Sequence, residues 1–181
     1  MDKIIQVKDK SFRMSLPEKD ILEQVKRVAA DINRDYAGKN PLFLGILNGS
    51  FMYAADLMKE ITIPCQISFV KLASYEGTVS TGKIREVIGL SESIQGRDVI
   101  IIEDIVETGY TMQRALETLG TRGPASVKIS ALFCKPENLK VDLGDAMKYV
   151  AMDIPDGFIV GYGLDYDGYG RNLRDIYTVI E

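Results

Sequence analysis

Histidine is absent from the 181-residue sequence, and cysteine occurs only twice. Without histidine, the chain cannot use a nucleophile activated by imidazole, a histidine general base or a histidine-ligated metal. Cys65 and Cys134 are too few for a cysteine-rich zinc site, and their apolar neighbours predict buried free thiols of a reducing compartment. Any catalysis must therefore use carboxylates, lysine, arginine, tyrosine, backbone amides or a metal bound through oxygen.

Long apolar runs and a strong charge imbalance are also missing. No apolar stretch approaches the roughly 18 residues of a membrane span, and the first residues, MDKII, lack the long apolar stretch of a signal peptide. The net charge of −4 gives no basic field for duplex nucleic acid, although a local cationic pocket is compatible with it. We therefore expect a cytoplasmic protein that binds neither a membrane nor nucleic acid.

Apolar patterns of helical and strand type alternate along the chain. Ser15 and Glu18 have the spacing of a capping box and predict the start of a helix of about five turns. Further helices are predicted over residues 51–61 and after Gly109. The predicted strands are residues 42–47, 65–72, 87–90, 99–102, 127–134, 149–152 and 158–161. This order predicts a single α/β domain over residues 1–181, with a mostly parallel central sheet flanked by helices.

Two segments stand out as candidate functional loops. Residues 74–82 (SYEGTVSTG) are polar and show neither the helical nor the strand period of apolar residues. This predicts a long mobile loop, of a kind that more often has a function than not. The other loop follows Ile102, where ligands of open parallel sheets bind. There, Gly109 permits a tight turn and the amides opening the next helix suit a phosphate. In the alternative interpretation, Thr111 only caps this helix and the adjacent acidic pair is solvated.

The segment VIIIEDIVETGYT, residues 99–111, resembles the phosphoribosyl pyrophosphate signature of type I phosphoribosyltransferases. The resemblance extends to LNGS at 47–50, to Ser74 and Tyr75, to Lys135 and to FIVGYGLDYDGYGR at 158–171, which occur in the order typical of hypoxanthine phosphoribosyltransferases. It covers nearly the whole chain from the first helix onward. It implies the type I phosphoribosyltransferase fold, with a small hood built from the chain ends, from about residues 1–15 and 135–181.

The resemblance also implies a role for each matching residue. The phosphoribosyl group would be held by Glu103, Asp104, Glu107, Thr108, Gly109, Tyr110 and Thr111, and the pyrophosphate by Asn48, Gly49 and Arg171. The purine would contact Lys135, Phe158, Ile159 and Asp165, with Lys135 donating to O6 and Phe158 stacking on the ring. Glu103, Asp104 and Asp165 would hold Mg²⁺, and Ser74 and Tyr75 would belong to a lid.

Several of these residues have plainer interpretations on their own chemistry. Phe158 would otherwise be a core residue and Lys135 a surface lysine. Asp165 would be a turn residue and Arg171 part of a surface salt bridge. The sequence also departs from the family at two positions, because neutral Asn48 replaces the usual lysine or arginine, and Glu107 replaces the usual aspartate beside purine N7.

The resemblance implies a Mg²⁺-dependent transferase. Such an enzyme moves 5-phosphoribosyl from phosphoribosyl pyrophosphate to N9 of hypoxanthine, and also of guanine, and releases pyrophosphate. Glu107 would be the catalytic residue that handles the purine proton, and the protein would be a homodimer or homotetramer. The alternative is a non-catalytic regulator on the same fold that senses a nucleotide or phosphoribosyl pyrophosphate, although the sequence carries no appended DNA-binding helix pair.

Overall fold

The computed structural model describes residues 3–74 and 84–180, of which 73–74 and 84–88 are described by their backbone alone. The elements in chain order are β1 (Ile4–Val7), β2 (Lys10–Leu16), α1 (Glu18–Asp35), β3 (Leu42–Ile46), α2 (Phe51–Glu60), β4 (Gln66–Ser74), β5 (Ile84–Ile88), β6 (Asp98–Val106), α3 (Tyr110–Gly120), β7 (Ser126–Cys134), β8 (Met147–Asp153), β9 (Ile159–Val160) and β10 (Ile176–Val179). None of the helices within these residues is both long and apolar enough to cross a membrane.

The main sheet has the strand order β5-β4-β3-β6-β7-β8, and every neighbouring pair is parallel except β4 and β5. All five residues of β3 are buried, as expected for a central strand covered on both faces. Phe43 packs on the face covered by α1 and α2, whereas Leu44 packs on the face covered by α3. The prediction of a mostly parallel sheet flanked by helices is therefore confirmed.

The second sheet is small and antiparallel, with the order β1-β2-β10-β9. Its core contains Val7, Phe12, Val160 and Tyr177, all of them buried. The sheet thus joins strands from the beginning and the end of the described chain. Strand β8, by contrast, belongs to the main sheet, and the extent of the hood stays a prediction.

The capping box predicted at the start of α1 does not form. Ser15 lies in β2, and its hydroxyl donates to the backbone oxygen of Ile176 at 3.4 Å. The N–H of Glu18 instead donates to Oδ1 of Asp175 at 3.0 Å. This backbone donor, followed by the ammonium of Lys3, holds the pKa of Asp175 below its usual range. The spacing of Ser15 and Glu18 correctly predicted where the helix begins, but Ser15 cannot cap it because Ser15 lies within β2.

Strand β6 is longer than predicted. The prediction ended it at Ile102, whereas the ladder with β7 continues through Glu103 and Ile105 to Val106. Two carboxylates that were expected in a loop are therefore part of a rigid strand. Both cysteines are free thiols, as predicted; Cys134 is buried and Cys65 is partly exposed. Of the expected lid, Ser74 ends β4, and Tyr75 lies outside the described residues.

Candidate active site

Two cavities lie at the carboxyl edge of the parallel strands, where open α/β sheets bind ligands. The lysine cavity has a volume of 210 Å³ and is lined by Asp104, Ile105, Glu107, Lys135, Gly157, Phe158, Ile159, Leu164 and Asp165. The helix cavity has a volume of 160 Å³ and is lined by Glu103, Ile105, Val106, Glu107, Thr108, Gly109, Thr111 and Met112. The two cavities share Ile105 and Glu107, so they are adjacent and make up the two halves of one candidate site.

The helix cavity lies at the N-terminus of α3. Gly109 ends the turn with φ of +83°, a conformation that favours glycine, and a side chain there would press on Val141. Thr108 and Thr111 are exposed, and their hydroxyls have no partner among the described residues. Thr111 therefore does not cap the helix, which leaves its hydroxyl and the first amides of α3 available to an anion.

Glu103 and Asp104 face different cavities because neighbouring residues of a strand point to opposite faces. Oε2 of Glu103 is buried and has no hydrogen-bond partner in the described part of the chain. Burial, followed by the negative charge of Asp104, raises the pKa of Glu103 well above its usual range. Oδ1 of Asp104 accepts the N–H of Ile105 at 2.9 Å. The acidic pair is thus not fully solvated, and its two carboxylates lie close enough for Asp104 to act on the pKa of Glu103.

Lys135 is a lining residue of the lysine cavity. It is buried, with only 6% of its side chain exposed, so it is not a surface lysine. Its ammonium donates to Oε1 of Glu107, to the backbone oxygen of Gly157 at 2.9 Å and to Oδ1 of Asp156 at 3.3 Å. The pairing of Val106 with Cys134 in adjacent strands places Glu107 beside Lys135. The structure therefore joins the two residues that the family resemblance assigns to purine N7 and O6.

Phe158 forms a wall of the same cavity and is 44% exposed, so the interpretation of Phe158 as a core residue is wrong. Its ring lies edge-on to Tyr166, with centroids 5.6 Å apart, and tilted against Phe12 at 6.1 Å. These contacts fix the ring at the cavity while leaving surface for a planar ligand. Ile159 follows in β9, where its backbone pairs with Thr178.

The loop after β3 approaches the cavity through Gly49. A side chain at Gly49 would overlap the carboxylate of Asp104, and one at Gly163 would overlap the backbone oxygen of Gly49. Asn48 is exposed, and the peptide bond that precedes it is cis. Only glycine fits at position 49, where the backbone runs close to the carboxylate of Asp104.

Asp165 and Arg171 are paired with each other. The guanidinium of Arg171 lies 2.6 Å from Oδ1 of Asp165 and also donates to the backbone oxygen of Gly163 at 2.7 Å. Oδ2 of Asp165 accepts the N–H of Gly168 at 2.6 Å, so Asp165 also orders a turn. Both side chains are about one-quarter exposed, at 28% and 27%, and Asp165 lines the lysine cavity.

Within residues 3–74 and 84–180, no group of three or more carboxylate, cysteine or histidine side chains could hold a metal ion. Glu103, Asp104 and Asp165 therefore do not form one preassembled ligand set. The unpartnered oxygen of Glu103 and the carboxylate of Asp104 are nevertheless the hard oxygen donors that Mg²⁺ prefers. They fit an ion that arrives with its own phosphate ligands, since such ions need only one or two protein carboxylates.

Two residues near Lys135 were missed in the sequence. Asp156 contacts its ammonium, and Nδ2 of Asn138 donates to Oδ1 of Asp156 at 2.9 Å. Neither residue was assigned a role from the sequence, and nothing in the local pattern marks Asn138. The available signal was that both follow strands of the main sheet, at the edge where the candidate residues lie.

Comparison with known proteins places these observations in context. Residues 16–167 match the phosphoribosyl transferase domain family. The chain is 45% identical over 157 residues to a hypoxanthine-guanine phosphoribosyltransferase of Streptococcus agalactiae, covering 86% of each chain. It is 44% identical over 165 residues to one of Staphylococcus aureus, covering 91% of each.

Solved structures show the same relationship. The crystal structure of a hypoxanthine phosphoribosyltransferase from Staphylococcus aureus superposes with a TM-score of 0.83 at 43% identity, covering 92% of this chain and 90% of that one. A Trypanosoma cruzi hypoxanthine phosphoribosyl transferase superposes with a TM-score of 0.86 at 33% identity, covering 97% and 95%. That structure comes from work on how the C-terminal region affects oligomeric state and enzymatic activity.

Proposed function

The chain belongs to the phosphoribosyltransferase family, and on that premise we propose that it is a purine-salvage enzyme. It transfers 5-phosphoribosyl from phosphoribosyl pyrophosphate to N9 of hypoxanthine, and also of guanine, and it releases pyrophosphate. The relatives named above are transferases of this type. No observation on this chain favours the alternative of a non-catalytic sensor.

The observation that carries this proposal is the meeting of the two cavities at Glu107. The helix cavity offers amides and threonine hydroxyls to the 5′-phosphate, and the lysine cavity offers Phe158 and Lys135 to the purine. A ribose that bridges the two would lie at Ile105 and Glu107, with the anomeric carbon directed toward the base. Two adjacent cavities that share Glu107 therefore suit a sugar phosphate and a planar base together.

The reaction needs stabilisation of opposite charges. Breaking the bond at the anomeric carbon develops positive charge on the sugar and negative charge on pyrophosphate. We assign the pyrophosphate to the guanidinium of Arg171 and to the backbone of Gly49, since neutral Asn48 supplies no charge there. Arg171 must then leave or share its present partner Asp165. Glu107 would take the purine proton as N9 becomes bonded.

We assign Mg²⁺ to Glu103, Asp104 and Asp165, either directly or through water. When bound, the ion supplies charge neutralisation for the pyrophosphate leaving group. The support from this chain is the buried, unpartnered oxygen of Glu103, which lacks a donor among the described residues. Residues 74–82, including Ser74 and Tyr75, would form the lid that excludes water from the sugar donor.

We also propose that the protein acts in the cytoplasm as a homodimer or homotetramer. Large apolar side chains at Phe51, Ile67 and Phe69 are 38–41% exposed, which supports association between copies. Light scattering at several protein concentrations tests this assignment, and a monomer at all of them would contradict it.

Conversion of hypoxanthine and phosphoribosyl pyrophosphate to inosine monophosphate by the purified protein tests the function. We expect activity with hypoxanthine and guanine, weak or no activity with adenine, and loss of activity when Mg²⁺ is chelated. Xanthine, run alongside, defines the range of accepted bases. Tight binding of the sugar donor without any nucleotide formation would instead support the sensor.

A further inference from the structure

The ammonium of Lys135 already has three hydrogen-bond acceptors within the chain. An ammonium has three N–H donors, and here they are directed to Glu107, Gly157 and Asp156. A purine O6 can therefore receive a hydrogen bond only if one of these partners gives up its own. The identity of the partner that leaves decides how the base is bound.

Two of the three partners are held in place by other contacts. The backbone oxygen of Gly157 belongs to the segment that leads into β9. Oδ1 of Asp156 accepts from Nδ2 of Asn138 and from the N–H of Gly157, both at 2.9 Å. Asp156 is the more exposed of the two carboxylates, at 69% against 51% for Glu107, but it has these further partners, whereas Lys135 is the only side-chain partner of Glu107 among the described residues. Glu107 is therefore the partner that can leave.

We propose that Asp156, held by Asn138, is a positioning residue that keeps the ammonium of Lys135 at the lysine cavity when the purine separates Lys135 from Glu107. The proposal rests on the proposed function. Its physical reason is that a buried ammonium is costly without a counter-charge. Once Glu107 turns to the purine, Asp156 is the remaining carboxylate in contact with Lys135 among the described residues.

Removing the charge of Asp156 should therefore act on the base alone. In Asp156→Asn, Glu107 becomes the sole counter-charge of Lys135, and the purine must break that pair. We expect the KM for hypoxanthine to rise about tenfold, whereas the KM for phosphoribosyl pyrophosphate changes less than about twofold. Asp156→Glu, which keeps the charge, should restore part of the affinity. Asp153→Asn is the matched control, because Asp153 is exposed and makes no side-chain hydrogen bond or ion pair among the described residues.

Asn138 provides a second, milder variant in case Asp156→Asn folds poorly. Asn138→Ala should raise the KM for hypoxanthine by about threefold. It should have no further effect in the Asp156→Asn background, because its action passes through Asp156. Equal changes in the two KM values, an unchanged KM for hypoxanthine, or additive effects of the two substitutions would overturn the positioning role while leaving the proposed function intact. A wild-type protein that forms no inosine monophosphate would overturn the proposed function, and this role with it.

Discussion

The lysine cavity and the helix cavity differ in how their polar groups are satisfied. In the lysine cavity, Lys135 already donates to Glu107 and to the backbone oxygen of Gly157, and also to Asp156, which does not itself line the cavity. In the helix cavity, the hydroxyls of Thr108 and Thr111 have no partner in the part of the chain that the structure describes. A ligand entering the first must exchange hydrogen bonds, whereas a ligand entering the second only adds them.

This difference separates selectivity from affinity. A ligand binds well in the lysine cavity only when its own hydrogen bonds replace those that it breaks. A base without a suitable oxygen or proton therefore leaves a buried charge unpaired. By contrast, unpaired hydrogen-bond donors at a helix N-terminus can bind any anion of suitable size at little cost in free energy. We therefore expect substitutions in the lysine cavity to act on the base and on turnover, and substitutions in the helix cavity to act on the sugar donor.

The largest effect is expected from Glu107→Gln. Turnover should fall about 10²–10⁴-fold because proton transfer is lost, while the KM for phosphoribosyl pyrophosphate stays nearly constant because backbone amides hold the phosphate. Lys135 keeps Asp156 as a counter-charge, so the fold should survive. Glu107→Asp should retain more activity than Glu107→Gln. Steady-state kinetics measures the effect, and Glu117→Gln, which changes an exposed glutamate of α3, is the control. A loss of stability without a loss of turnover would remove Glu107 from the mechanism.

Phe158→Ala should produce the next largest effect. Loss of base stacking costs about 1–3 kcal/mol, which corresponds to a rise of about 5- to 150-fold in the KM for hypoxanthine. The KM for the sugar donor should not change. Tyr169→Ala is the control, since this tyrosine is 61% exposed and lies outside both cavities. A similar rise in both KM values would show that Phe158 supports the fold rather than the base.

Thr111→Val examines the other side of the comparison. The change keeps the shape of the side chain and removes one neutral hydrogen bond, so the KM for phosphoribosyl pyrophosphate should rise about fivefold. The KM for hypoxanthine should stay constant. The same measurement on Thr118→Val, farther along α3, supplies the reference. If hypoxanthine binding is weakened instead, the division between the two cavities is wrong.

The smallest effect on catalysis is expected from Asp175→Asn, which touches neither cavity. The asparagine can still accept the N–H of Glu18, but losing the negative charge beside the start of α1 and the ammonium of Lys3 should cost about 1 kcal/mol of unfolding free energy without changing either KM. Because folding lowers the pKa of Asp175, its contribution is complete above about pH 4 and disappears as the pH falls through the lowered value. Urea unfolding of both proteins at pH 7 and at acid pH should show the difference shrink, and a constant difference would contradict the assignment.

The main sheet could be predicted because strands covered on both faces must be apolar throughout. This requirement marks β3 and the first part of β6 directly. Of the small sheet, only β9 was predicted from its own pattern, within residues 158–161, and a hood built from the chain ends was implied by the resemblance alone. Strands β1, β2 and β10 were not marked locally because they pair across the whole chain. The end of β6 was placed too early for a related reason: Glu103 and Asp104 look like loop residues until the neighbouring strand supplies their ladder.

The site was predictable in its location but not in its internal pairing. Matching positions identified Glu107 and Lys135 as candidates, yet their ion pair depends on which strands are neighbours and in what register. The anchoring of Asp156 by Asn138 joins residues that follow different strands and has no local pattern. The cap of α1 is a similar case, because Asp175 lies far along the chain from Glu18.

The pairing of β9 with β10 has a consequence for the order of events on the ribosome. Chains emerge from the N-terminus at about 5–20 residues per second, so β8, which completes the main sheet, appears before β9 and β10. Ile159, which lines the lysine cavity, pairs with Thr178 and gains this partner only when β10 has emerged. A nascent chain halted between Asp153 and Ile176 would therefore carry every strand of the main sheet, while the part of the lysine cavity formed by Ile159 would still lack its partner in β10.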